Sequence, residues 1–257
     1  MTYGEYETIK HDSPYAYQLS KNSQHLFYFG ANHSCDPNNK QYPLLESFWT
    51  EFLKKTKGKN CIVLVEGSKR PVKNTKEEAI TVAGAEGGFI TFLAHQNNIC
   101  TECPEPDKQH LFDHESLNQF SNDAIEYMDF AHCVQQFNRY KRVNLGLKFE
   151  NYYQEYNQFN DLERMKKVHQ DLFNTQFNPY DEKFIDEITN PVIQKTVINK
   201  LCRQISVIRD NYIIEYINNL LREGKNIFIV YGCTHAVMQE PAIRIIFFSS
   251  SNIRIAG

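Results

Sequence analysis

The sequence predicts an α/β fold, a mainly parallel central sheet flanked by helices with a helical insertion or cap, and three observations carry that prediction. The runs at 61–67 and 226–232 read as strands of the buried type found in parallel sheets, and 25–30 as a short β-rich run. Stretches with the 3.6-residue spacing of helices alternate with them. Between about 107 and 190 the composition shifts to Asn, Gln, Tyr and Phe with almost no Gly, and helical spacing recurs there in short pieces.

In chain order, HLFYFG (25–30) is a β-rich run closed by Gly30. Leu44, Leu45, Phe48, Phe52 and Leu53 then give the segment Tyr42–Lys55 a helical period. CIVLVEG (61–67) is a buried strand, followed by a helical stretch at 76–97 and a short strand near Asn98–Cys103. Phe120–Tyr140 and Leu162–Phe173 are helical pieces of the interposed segment. A long helix is expected from Asn190 as cap and Pro191 as first residue to a stop at Gly224, just before the strand NIFIVYG (226–232). Val237, Ile243, Ile246 and Phe247 continue as a helix despite Pro241. The two ends, about 1–110 and 190–257, are expected to share one sheet in a single α/β domain over 1–257, with 107–190 as the insertion. The apolar stretches of that insertion look too short for a separate core, which predicts a lid beside the site.

Composition narrows the function classes. The 257 residues are 41% hydrophobic, enough for a buried core. The 28 basic and 31 acidic residues are mixed along the chain for a net charge of -3, so nothing attracts nucleic acid or an anionic membrane. The first residues lack a basic start followed by an apolar core, and no apolar run approaches the roughly 18 residues of a membrane span. Seven scattered cysteines suit reduced thiols, and a cytoplasmic location is expected.

In open parallel sheets ligands bind outside the carboxyl ends of the strands, so polar residues just after strands carry the most weight. FGANH presents Gly30 and His33, LVEG presents Glu66, and YGCTH presents Gly232 and His235. The two Gly-x-x-His arrangements let the chain exit sharply and turn an imidazole back over the strand end. Two neutral imidazoles and one carboxylate match a catalytic divalent-metal ligand set with an open position for water, and a bound cation lowers that water's pKa. The alternative for each histidine is a hydrogen bond to a loop. Glu66 follows four apolar residues and needs a partner at the edge of a low-dielectric core. Glu86 in AGAEGGF sits between glycines at a helix start or kink, where it is either near a ligand or compensating the helix N-terminus. Glu105 in CPEP follows the third strand-like run. Arg209 shares a largely apolar helical face with Ile198, Ile205, Tyr212 and Tyr216, and so needs an acidic partner or an anionic ligand. Cys100, Cys103, His110 and His114 are a competing metal set, but only six residues separate the pairs, against roughly 12 in a zinc finger. The chain lacks a P-loop, a G-x-G-x-x-G, an H-E-x-x-H and a G-x-S-x-G elbow.

Taken together, FGANH, LVEG, IRDNY (with Arg209 and Asp210) and YGCTH resemble, in order and separation, motifs of the TraB/PrgY/GumN and Tiki family, within a wider group of erythromycin-esterase-like and ChaN-like proteins. The resemblance implies an α/β fold with a metal-dependent site, Tiki members being manganese- or cobalt-dependent proteases. The segment 107–190 has no counterpart in it. The expectation is therefore a metal-dependent hydrolase of a peptide or a small molecule. His33, Glu66 and His235 would hold a divalent ion (manganese, cobalt or zinc), Glu86 or Glu105 would act as base, and Arg209 would stabilise an oxyanion. Alternatives are a ChaN-like iron- or haem-binding protein, and an inactive relative that regulates a partner through the aromatic-rich insertion.

Overall fold

The protein's computed structural model describes residues 1–142, 146–156 and 161–249. The chain runs α1 (Tyr3–Tyr6), β1 (Tyr15–Lys21), β2 (Gln24–Ala31), α2 (Gln41–Thr56), β3 (Cys61–Val65), α3 (Lys76–Thr81), α4 (Ala85–Gln96) and β4 (Cys100–Glu102). It continues with α5 (Lys108–Phe112), α6 (Asn122–Lys141), α7 (Phe149–Tyr156), α8 (Leu162–Phe173) and α9 (Glu182–Thr189). The last elements are α10 (Val197–Arg222), β5 (Asn226–Gly232) and α11 (Cys233–Ser249). The described residues fall into two compact units, those of 1–106 with 209–249, and those within 107–208.

The first unit holds a five-stranded sheet in the order β1-β2-β5-β3-β4. β2, β5, β3 and β4 are parallel, and β1 pairs antiparallel on the edge. The mainly parallel α/β sheet read from the apolar runs is therefore present. Its side chains alternate with period two. Phe27, Phe29, Val63, Val65, Phe228 and Val230 pack with Tyr42, Leu45, Trp49 and Phe52 of α2 and Phe89, Ile90 and Leu93 of α4. Leu26, Tyr28, Ile62, Leu64, Ile227 and Ile229 pack on the other face with Ile213 and Ile217 of α10 and Ala236, Ile243 and Phe247 of α11. Burial on both faces explains why these strands look like unbroken apolar runs in the sequence.

The register decides where the chain can build a site. Val65 lies beside Val230, and Ala31 lies beside Gly232. β2 and β5 therefore end together and β3 ends two residues earlier, so the residues that follow the three strands are neighbours.

Three local features differ from expectation. β1 was not foreseen, although Tyr17 and Leu19 are buried between exposed Ala16, Gln18 and Ser20, the alternation of a strand with one solvated face. The helical stretch 76–97 is two helices, because Gly84 (φ 93°) and Ala85 (φ 57°) turn the chain through the left-handed region. A Cβ on Gly88 would lie 2.1 Å from the Ala79 carbonyl oxygen, so only glycine allows α4 to approach α3 this closely. The long helix starts at Val197, not at Pro191: Asn190 closes α9 in an extended conformation, as a residue before proline must. The start is set by Thr196, whose hydroxyl accepts from the Asn199 amide (3.1 Å), while Asn199 Oδ1 accepts from the Thr196 amide (3.1 Å). At the other end Gly224 (φ 72°) terminates α10 as expected.

The Asp107–Ile208 unit has its own apolar cluster, including Tyr127, Phe130, Phe137, Phe149, Tyr152, Met165, Ile185, Ile188 and Leu201. The expectation of too little apolar material undercounted aromatic rings, which α6 and α7 supply. Asn199 ties this unit's last elements together: it is fully buried, and its Nδ2 donates to the carbonyls of Glu187 (2.7 Å), Ile188 (2.9 Å) and Asn190 (3.0 Å). No helix among the described residues is long and apolar enough to cross a membrane. Asn199→Ala should remove the side-chain donor to the Ile188 and Asn190 carbonyls and the acceptor of the Thr196 amide, and lower stability by about 2–3 kcal/mol, read as a lower midpoint with unchanged slope in urea.

Candidate functional site

The carboxyl ends of β2, β3 and β5 bring His33, Glu66 and His235 to one place. Glu66, directly after β3, is the hub. One carboxylate oxygen accepts the Gly232 amide at 2.7 Å and lies 3.6 Å from His33 Nε2. The other lies 3.7 Å from His235 Nε2 and 3.4 Å from Arg209 Nη2. Burial opposes the charge on Glu66. His235, His33, Arg209 and the Gly232 amide outweigh that effect and hold its carboxyl well below the usual carboxylate range.

Gly232 has a steric as well as a hydrogen-bonding part in this arrangement. A Cβ there would stand 2.7 Å from His33 Nε2, so the imidazole occupies the space that a side chain would fill. His33 itself has φ 47°, a left-handed conformation that folds the chain back after β2. Its Nδ1 lies 3.5 Å from Glu86 Oε2. Glu86, in the first turn of α4 and 3% exposed, is fixed in turn by the Ser34 amide (2.7 Å) and Gln41 Nε2 (2.8 Å). The sequence offered two readings for Glu86, and its side chain serves the His33 loop.

His235 is the third residue of α11. Its Nδ1 is 2.6 Å from Asp210 Oδ1, which also accepts from Gln239 Nε2 at 2.7 Å. Gln239 is fully buried and accepts from the Tyr28 hydroxyl at 2.9 Å. This chain fixes the ring so that Nε2 faces Glu66. Burial pulls the His235 pKa down, but Asp210 and Glu66 push harder, and the balance is upward. Asp210 stood in the sequence only beside Arg209 in IRDNY, without a role, and Gln239, Gln41 and Tyr28 were not among the candidates read from the sequence. The one available signal was the four-residue spacing of His235 and Gln239, which stacks two polar side chains on a mostly apolar helix.

Arg209 meets the acidic partners its apolar helical face demanded. Nε and Nη2 grip the two oxygens of Glu105 at 2.8 and 2.9 Å, a bidentate fork, and Nη2 also faces Glu66. Glu105 further accepts the Gly67 amide at 3.1 Å. All six residues singled out for chemistry, His33, Glu66, Glu86, Glu105, Arg209 and His235, thus belong to one connected network.

The fit of a divalent cation is a question of free lone pairs. Among the described residues no group of three or more His, Cys, Asp and Glu side chains is arranged to hold a metal ion. Each Glu66 oxygen accepts one hydrogen bond, from the Gly232 amide or from Arg209, and keeps a second lone pair. In this arrangement His33, Glu66 and His235 form a charge network, with the two imidazole Nε2 atoms 3.6 and 3.7 Å from the carboxylate oxygens.

The fold and site together define an α/β protein with a polar cluster at the carboxyl edge of a mostly parallel sheet. No family model, no curated protein and no solved structure matches the chain.

Arg209→Ala would leave Glu105 and Glu66 without their cation and should lower stability by about 3 kcal/mol by chemical denaturation. Arg209→Lys keeps the charge but loses the fork and should fall between the two. In the pair Arg209→Ala and Glu105→Ala, the double variant should lose clearly less than the sum of the single losses.

Proposed function

We propose that this chain is a hydrolase that activates water at the carboxyl edge of its sheet, acting on a peptide or a small molecule. The observation that supports this most is the meeting of His33 and His235, from opposite ends of the sequence, on the two oxygens of Glu66 with the Arg209 guanidinium beside them. A cluster of two imidazoles, three carboxylates and a guanidinium at the strand ends has the elements for moving a proton and stabilising developing charge.

In this reading His33 is the proton carrier, because its side chain is the most exposed of the cluster at 41%. Water attacks the substrate carbonyl carbon as His33 Nε2 takes its proton, and the carbonyl oxygen gains the negative charge. Collapse of that intermediate breaks the bond to the leaving group, which receives the proton back from His33. Glu66, 3.6 Å away, stabilises the transient imidazolium, and Glu86 steadies the ring from its Nδ1 side. Arg209 faces the Glu66 carboxylate and serves the oxyanion.

The resemblance to the TraB/PrgY/GumN and Tiki family supports a hydrolase and adds a divalent cation, manganese, cobalt or zinc, on His33, Glu66 and His235. Bound there, it would supply an acidified water.

Purified protein should be analysed for metals and assayed with p-nitrophenyl esters and aminoacyl p-nitroanilides, after chelation and with each of the three cations. Turnover is expected that falls by about 10² or more in both His33→Ala and Glu66→Gln while their thermal midpoints stay measurable. Activity that survives chelation supports the proton-transfer form, and activity restored by one cation supports the metal form. Iron retained without turnover favours the iron- or haem-binding alternative. Equal rates for parent and His33→Ala would contradict the proposal.

A further inference from the structure

The loop leaving β3 carries Lys69, Arg70, Lys73 and Lys76, with no Asp or Glu between Gly67 and Lys76, in a chain whose net charge is -3. Lys76 pairs with Glu46 at 2.5 Å. Arg70 does not pair with a carboxylate among the described residues: its Nη2 donates to the Glu66 carbonyl at 3.3 Å, and its Nε–H is buried without an acceptor. A guanidinium presents five N–H donors in a fixed fork, and of Arg70's only one, on Nη2, meets an acceptor among the described residues.

The surroundings of this guanidinium are equally specific. A Cβ on Gly67 would lie 3.1 Å from Nη2, one on Gly84 2.9 Å from Nη1, and one on Gly87 3.3 Å from Nε. Three positions without side chains, drawn from the β3 exit and the start of α4, therefore make room for one arginine. Gly67 and Gly84 also take φ of 84° and 93°, which shapes the backbone on two sides of it. An arginine whose task is to join segments is met by carboxylates or by several carbonyls. This one has a single carbonyl, that of Glu66, the residue at the centre of the proposed site.

We propose that Arg70 is an oxyanion subsite that receives a carboxylate or phosphate group of the ligand and holds it beside Glu66. As an anchor for substrate it rests on the hydrolase reading; as an anion site it does not. It identifies the ligand class as anionic, with the charged group on the β3-loop side of the reacting bond.

The test uses the full chain and two probes, inorganic phosphate and acetate, added at constant ionic strength while the arginine Nε–H signals are followed by ¹H–¹⁵N NMR. The Arg70 signal should move saturably with at least one probe, and the tighter probe distinguishes a phosphate from a carboxylate. Arg70→Gln should weaken that binding about tenfold or more, and Arg70→Lys should retain part of it, since an ammonium keeps the charge without the fork. His33→Ala should bind the probe like the parent. Probe binding at Arg70 in a protein that hydrolyses nothing would sink the hydrolase reading and leave the subsite standing. No saturable movement of the Arg70 signal, or an Arg70→Gln protein that binds like the parent, would overturn the subsite. If Arg70→Gln fails to fold, the parent's Nε–H signal and Arg70→Lys give the decision.

Discussion

An ionised carboxylate at the end of a strand buried on both faces has lost much of its water, and the surrounding groups must replace what water supplied. Glu66 is in that position. The Gly232 amide gives it a hydrogen bond, Arg209 gives it a full positive charge, and two imidazoles face its oxygens. Each of those partners is in turn held by an acid: Arg209 by Glu105, His235 by Asp210, and His33 by Glu86. The network is a set of alternating charges that would be unfavourable in pieces and is stable as a whole.

Parallel register makes the network possible. Because β2 and β5 end together and β3 ends two residues earlier, three residues separated by up to about two hundred positions in sequence need only short loops to meet. Glycine then supplies the close approach: at position 232 the missing Cβ is where the His33 ring lies, and at 30 a Cβ would stand 2.6 Å from that of Ala236 in α11. The two Gly-x-x-His segments are therefore alike for a steric reason. In each, the glycine is the point where another part of the chain comes too near for a side chain.

Much of this was legible in the sequence. Buried parallel strands are continuous apolar runs, and β3 and β5 stood out on that ground, while β2 showed as a β-rich run closed by Gly30. Polar residues following them could be placed at one edge without knowing the strand order. An arginine on an apolar helix face announced that it had an acidic partner. Other features depend on tertiary contacts that leave no local trace. Asp210 and Gln239 are polar residues inside helices, and only the packing of α10 and α11 on one face of the sheet shows that they fix His235. β1 has a strand's alternation over Tyr15–Lys21, but as an edge strand it lacks the unbroken apolar run that marked β3 and β5. The start of α10 was misplaced because Asn190-Pro191 is a helix-opening pair in isolation, whereas the Thr196 and Asn199 cap lies a few residues further on.

The central claim is that His33 and His235 report on one and the same carboxylate. Imidazole signals of the protein's histidines, assigned by ¹H–¹⁵N NMR, can be compared between the parent and Glu66→Gln, a substitution that removes the charge and keeps the shape. The account predicts that the rings of His33 and His235 both shift, while that of His169, in the other unit and bonded to Tyr127 at 2.6 Å, stays in place. A shift in one of the two rings alone, or in neither, would contradict it.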